Sequence, residues 1–177
     1  MIVFLTGFMC SGKTTDGKAA AEMLRLPFLD LDQELEKQTG LTIPSFIAKE
    51  GMPAFRQKES EILLQTYQLL HLNDNNTSNL PDVPEAIVAT GGGCILVKEN
   101  RDYLMQARHS VIWIGLPFTL LLTRIKTNPR PLLIGLTDVE IMHFYTERLP
   151  LYQKIATHTI TSPPVPEQIV RLLELTQ

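Results

Sequence analysis

The stretch Gly7-Phe8-Met9-Cys10-Ser11-Gly12-Lys13-Thr14-Thr15 fits the pattern GxxxxGK[ST], in which successive backbone N–H groups wrap the phosphates of a nucleotide. The pattern carries meaning only between a strand and a helix. Ile2-Val3-Phe4-Leu5 ahead of it is a short apolar run of β-branched and aromatic residues, and residues 15–26 behind it read as a helix. In that setting a helix N-terminus faces the phosphates, Lys13 adds a mobile positive charge, and Thr14 offers a hydroxyl to Mg²⁺. A surface turn that matches by accident would not explain the buried-strand flank.

Outward from this loop, strands and helices alternate. Residues 27–30 read as a second strand running through Leu31-Asp32 into a helix at 33–38 that Gly40 closes. Ser45 is placed to cap a short helix ending at Glu50, and Gly51 separates it from a longer one over 53–70 that has Pro53 in its first turn. Residues 73–84 are polar and proline-punctuated, the pattern of an exposed, mobile loop. Strands at 86–89, 111–114 and 157–161, the last polar enough for a sheet edge, interleave with helices at 98–108, 118–125, 138–149 and 166–175. This order selects a three-layer α/β/α fold with a five-stranded parallel sheet.

A chain of 177 residues is one domain's worth. Its formal charge of −3 supplies no basic field for nucleic acid or an anionic membrane, so any anion site must be local. Cys10 and Cys94 lack metal-type spacing and suggest no disulfide framework, which fits a reducing cytoplasm. The N-terminus has no basic leader region, so no cleaved signal peptide is expected. The longest apolar stretch, 111–122, is interrupted by Gly115 and Pro117 and is too short to span a bilayer.

Several residues could carry chemistry. Asp30 and Asp32 would leave the same face if the strand persisted, near the strand end where ligands of open parallel sheets collect. A solvated turn or a helix cap is the competing explanation. Gly91-Gly92-Gly93 either admits a ligand to the backbone or makes a sharp turn with positive φ. Arg56, Arg124, Arg130 and Arg148 stand near helix ends or prolines; each alone could be merely solvated. Between Pro129 and Pro131, however, Arg130 has a restrained backbone that lowers the entropy lost on fixing a phosphate. The histidines 71, 109, 143 and 158 show no metal spacing and read as structural or exposed, and both cysteines read as packing residues.

Taken together, GFMCSGKTT, FLDLD, GMPAFRQKE, TGGG, NPRPLL and RLPLYQKIA, in this order and spacing, resemble shikimate kinase, a small P-loop kinase of the nucleoside-monophosphate-kinase type. The resemblance implies a single domain over 1–177 with a helical substrate-binding region at about 31–60 and a mobile lid at about 126–136. It implies transfer of the γ-phosphoryl of ATP to the 3-hydroxyl of shikimate, in chorismate and aromatic amino-acid synthesis, by a cytoplasmic monomer that needs Mg²⁺ and binds neither nucleic acid nor membrane. ATP would be held by Cys10, Ser11, Gly12, Lys13, Thr14 and Thr15, with Arg124 on the adenine and Arg130 as the lid arginine. Thr14 and Asp30 would serve the metal, the latter through water. Shikimate would meet Asp32, Arg56, Arg148 and the backbone of Gly91, Gly92 and Gly93, while Lys13, Asp32 and Arg130 would act in catalysis.

Three departures from the family pattern stand out. The segment from Arg124 to Arg130 is one residue shorter than in many members, the stretch after Ile160 reads Thr-Ser-Pro-Pro-Val where many carry an arginine, and Asp16 replaces an apolar residue. Among rival functions, a gluconate kinase would share the loop but not the DxD, FR and RxPLY series. A nucleoside-monophosphate kinase would phosphorylate AMP or CMP, and a nucleotide switch lacks support because no NKxD motif is present.

Overall fold

The computed structural model describes residues 1–70, 84–128 and 130–174. The expected loop over 73–84, Pro84 apart, lies outside the described residues, as do His71 and Pro129.

Five strands form one parallel sheet: β1 (Ile2–Thr6), β2 (Phe28–Asp30), β3 (Ala86–Ala89), β4 (His109–Ile114) and β5 (His158–Ile160), in the order β2-β3-β1-β4-β5. The helices are α1 (Lys13–Leu24), α2 (Leu31–Thr39), α3 (Ile43–Leu64), α4 (Thr66–Leu69), α5 (Lys98–Leu104), α6 (Phe118–Thr127), α7 (Asp138–Ile155) and α8 (Val165–Glu174). Short 3₁₀ turns cover Cys94–Leu96 and Pro131–Leu133.

Every residue of β1, β3 and β4 is buried, because helices cover both faces of the sheet. Alternate side chains go to opposite sides. Ile2, Phe4, Val88, Val111 and Trp113 pack with residues of α2, α3, α5 and α7, whereas Val3, Leu5, Ile87, Ile112 and Ile114 pack with α1, α6 and α8. As the innermost strand, β1 has β3 and β4 on its two sides, so the loops leaving β1 and β3 flank a topological switch point at the carboxyl edge.

The structure corrects several expected boundaries. The strand at Asp30 does not persist to Asp32: Asp30 is itself the N-cap of α2, and Asp32 lies in the first helical turn. Capping Oδ1 of Asp30 accepts from the N–H groups of Asp32 (2.9 Å) and Gln33 (3.1 Å), which supplies partners the strand would have lacked. The cap of α3 is Thr42 rather than Ser45, since the Thr42 hydroxyl accepts from the Ser45 N–H at 3.3 Å. Gly51, at φ 86°, does break α3 where the sequence places the break. The second half ends at Leu64, short of residue 70.

Pro150 sits inside α7 rather than beyond it. Its missing N–H costs the helix ~3 kcal/mol, but burying Tyr152 and Ile155, 1 % and 3 % exposed, returns roughly 1.5–3 kcal/mol for each apolar side chain. No helix of the described residues is long and apolar enough to cross a membrane.

Candidate active site

The loop between β1 and α1 is built around two left-handed residues, Cys10 at φ 61° and Gly12 at φ 102°. Ser11 N–H donates to the Phe8 carbonyl at 3.2 Å and closes the turn. Lys13 folds back over it, its ammonium donating to Gly7 O (2.9 Å) and Phe8 O (3.0 Å). Burial pushes the Lys13 pKa down to about 8, partly opposed by the carboxylates of Asp32 and Asp30. Cys10, Gly12, Lys13, Thr14 and Thr15 line a cavity of about 470 Å³. Ser11 is fully buried instead, with its hydroxyl under the loop against Gly7.

Across the cavity stand the carboxylates. Asp30 is buried, and its Oδ2 accepts from the Thr14 hydroxyl at 2.5 Å. These two hard oxygen donors suit Mg²⁺, which takes few protein ligands and completes its shell with phosphate and water oxygens. Asp32 opens onto the cavity, and burial together with the Asp30 charge raises its pKa to about 6 against the attraction of Lys13 and Arg56.

Glu59 was not singled out by sequence reasoning. It is 3 % exposed, and its Oε2 accepts from Arg56 Nη1 at 2.7 Å, while its Oε1 has no hydrogen-bond partner among the described residues. Burial lifts Glu59 to about 7 in spite of that guanidinium. The signal available in the sequence was its position three residues after Arg56, one turn along the same helix face.

The glycine triplet explains itself through these side chains. None of the three has a positive φ, so a strained turn is not the reason for them. A Cβ on Gly91 would lie 2.3 Å from Glu59 Oε1 and 2.7 Å from Asp32 Oδ1, and one on Gly93 would lie 2.3 Å from Arg56 Nη2. Gly91 and Gly93 therefore let α2 and α3 bring two carboxyl groups and a guanidinium against bare backbone, whereas a Cβ on Gly92 would meet Met9 at 3.4 Å.

Arg148 reaches the same cavity from α7. Its guanidinium lies 5.5 Å from the Phe8 ring centre and 5.9 Å from that of Phe144, within cation–π range. It approaches Gly92 O at 3.5 Å, and burial lowers its pKa. Tyr152, one turn on and also missed in the sequence, donates to Gly92 O at 2.6 Å and fixes the glycine loop.

Arg130, Pro131 and Leu132 line the cavity beside the phosphate loop, where Arg130 Nε donates to Cys10 Sγ at 3.2 Å. Arg124 does not line it; its Nη1 donates to Cys10 O (3.2 Å) and Ser11 O (3.3 Å). His109 is buried in the core, with Nδ1 2.9 Å from Tyr103 O, and Cys94 is fully buried. His143 is an exposed partner of Glu147.

Phosphoryl transfer from a nucleotide to a small anion is the chemistry that such a loop, sharing one cavity with Arg56 and Arg148, is able to serve; the chain is a P-loop kinase. A family model of shikimate kinases matches residues 9–175. The shikimate kinase of Aquifex aeolicus is 34% identical over 97% of this chain and 92% of its own length. The structure of shikimate kinase from Acinetobacter baumannii in complex with shikimate superposes with a TM-score of 0.80 at 34% identity, over 98% of this chain and 91% of the other. That of the Bacteroides thetaiotaomicron enzyme gives 0.78 at 28% identity, over 99% and 97%. The chain belongs to the shikimate kinase family.

Proposed function

We propose that this chain transfers the γ-phosphoryl of ATP to the 3-hydroxyl of shikimate, giving 3-phosphoshikimate and ADP for chorismate and aromatic amino-acid synthesis. The observation that carries the proposal is that Lys13, Asp32, Arg56 and Arg148, distant in sequence, line one cavity.

Phosphoryl transfer passes through a loose in-line transition state, so the protein acts by position and charge. Gly12 to Thr15 hold the phosphates, and Lys13, leaving the loop carbonyls it now bonds, neutralises charge on the transferred group. Thr14 and Asp30 would hold Mg²⁺, which supplies further neutralisation of the phosphate oxygens when bound. Arg56 and Arg148 grip the substrate carboxylate, for which forked guanidinium donors suit better than lysine. Asp32 accepts the hydroxyl proton, and the backbone of Gly91, Gly92 and Gly93 lines the ring. Residues 31–60 form the acceptor side, and residues 126–136 act as a lid that carries Arg130 over ATP and excludes water, which would otherwise hydrolyse it.

Steady-state ADP release with MgATP and shikimate, gluconate, AMP or CMP tests the proposal. Turnover with shikimate alone is expected; turnover with gluconate or a nucleoside monophosphate in its place would overturn it.

A further inference from the structure

We infer that Tyr152 is a positioning residue for the acceptor substrate, and that its hydroxyl orients the guanidinium of Arg148 in the cavity without neutralising it. The inference rests on the reading of this cavity as the site of a small carboxylic acid and deepens it.

The two arginines on the acceptor side are held in different ways. Arg56 Nη1 donates to Glu59 Oε2 at 2.7 Å, so its charge is shared with a buried carboxyl group before any anion arrives. Arg148 has no carboxylate at ion-pair distance among the described residues. Its polar partners are neutral: the Gly92 carbonyl at 3.5 Å and the Tyr152 hydroxyl, one turn further along α7. Burial lowers the Arg148 pKa, and Tyr152 opposes that fall by accepting from the guanidinium.

The donors and acceptors leave one arrangement. The phenol carries a single proton, which goes to Gly92 O at 2.6 Å, so only oxygen lone pairs remain to face Arg148. A guanidinium can only donate, and the match is complete. Phenol, carbonyl and guanidinium thus close one cluster at the cavity wall that Gly92 and Arg148 share.

This cluster stands on a rigid base. Tyr152 is 1 % exposed, and its ring stacks on Trp113 of β4, with centroids 6.0 Å apart and planes 8° from parallel. Gly115 clears the space for that indole, since a Cβ there would lie 2.6 Å from Trp113 Cζ2. Phe8 and Phe144 present their rings to the Arg148 guanidinium and likewise carry no formal charge. A carboxylate in place of the phenol would hold Arg148 more tightly and offset the charge that a substrate carboxylate needs.

Calorimetric titration of the full chain with shikimate reads the effect. Tyr152→Phe keeps the ring on Trp113 and is expected to weaken shikimate binding by roughly tenfold, while the KM for ATP stays unchanged. In an Arg148→Met background the same substitution is expected to change kcat/KM for shikimate by less than about twofold, because the group it acts through is gone. With shikimate methyl ester, which presents no carboxylate, kcat/KM is expected to be the same for Tyr152→Phe and wild type. A tyrosine serving only the fold would give none of this selectivity. Equal losses with and without Arg148 would overturn the inference, as would an equal loss with the ester or an unchanged affinity for shikimate. Trp113→Phe keeps the hydroxyl but narrows the face behind it, and it serves if Tyr152→Phe does not fold. A loss confined to shikimate and absent without Arg148 is expected there too; no loss would overturn the inference. Failure of the wild type to bind shikimate would instead strike the reading of the cavity, so the two failures are distinguishable.

Discussion

The Thr14 hydroxyl donates to Asp30 Oδ2 across 2.5 Å, tying the start of α1 to the end of β2. Asp30 spends its other oxygen on the N-cap of α2. One carboxylate thus joins the proposed Mg²⁺ site to a fold element, and the two roles can be pulled apart. Asp30→Ala is expected to lose ~1 kcal/mol of stability with the cap, whereas Asp30→Asn keeps it. Both should raise the Mg²⁺ concentration needed for half-maximal activity. Thermal melts beside Mg²⁺ titrations check this; a stable alanine variant with normal Mg²⁺ dependence would contradict it.

Lys13 is a charge kept at a cost. Its pKa is lowered to about 8, so the folded state holds this proton less tightly than the unfolded chain does. Stability from this group is present above the unfolded value of 10.5 and is lost as pH falls through 8. The Tm of Lys13→Met relative to wild type should therefore fall between pH 8 and pH 10. Turnover should drop by roughly 10²–10³-fold. A Tm difference that does not change with pH would contradict the burial argument.

Asp32 and Glu59 titrate in the opposite sense. Their pKa values are raised to about 6 and about 7, so the stability they contribute is present at low pH and is lost as pH rises through those values. Glu59→Gln cannot titrate, and its Tm relative to wild type should climb from pH 5 to pH 8. Activity runs the other way, because Asp32 must be ionised to accept a proton, and kcat should fall below about pH 6. A pH profile flat from 5 to 8 would remove Asp32 from that role.

Two arginines should separate binding from turnover. Arg56→Ala strands the substrate carboxylate and leaves Glu59 without its buried partner; shikimate affinity is expected to fall by ~2–5 kcal/mol. Arg130→Ala should lower kcat by roughly 10²-fold with little change in shikimate affinity. Calorimetry with shikimate and single-turnover rates read the two effects independently.

The sheet and the loop were legible because their signals are local. Apolar runs end at glycines, and Gly7 to Thr15 carries its pattern in nine consecutive residues. The arginines and aspartates stand out through the motif series that resembles shikimate kinase, and of them Asp30, Asp32, Arg56, Arg130 and Arg148 line one cavity while Arg124 does not. What stayed hidden depends on contacts between distant segments. Glu59 matters because Gly91 leaves space for it, and Tyr152 because Gly92 O needs a donor. Pro150 breaks no helix because burial on the other side of α7 holds it. The Arg124 side chain turns to the carbonyls of Cys10 and Ser11, a contact between distant segments that no local pattern announces.

In the proposed reaction the cavity orients one hydroxyl of shikimate toward the γ-phosphoryl of ATP. Phosphorus–proton correlation NMR of the product from MgATP and shikimate tests it most directly. A single phosphomonoester coupled to the proton on carbon 3 is the expected result; phosphate on another carbon, or free phosphate with shikimate unchanged, would contradict the account.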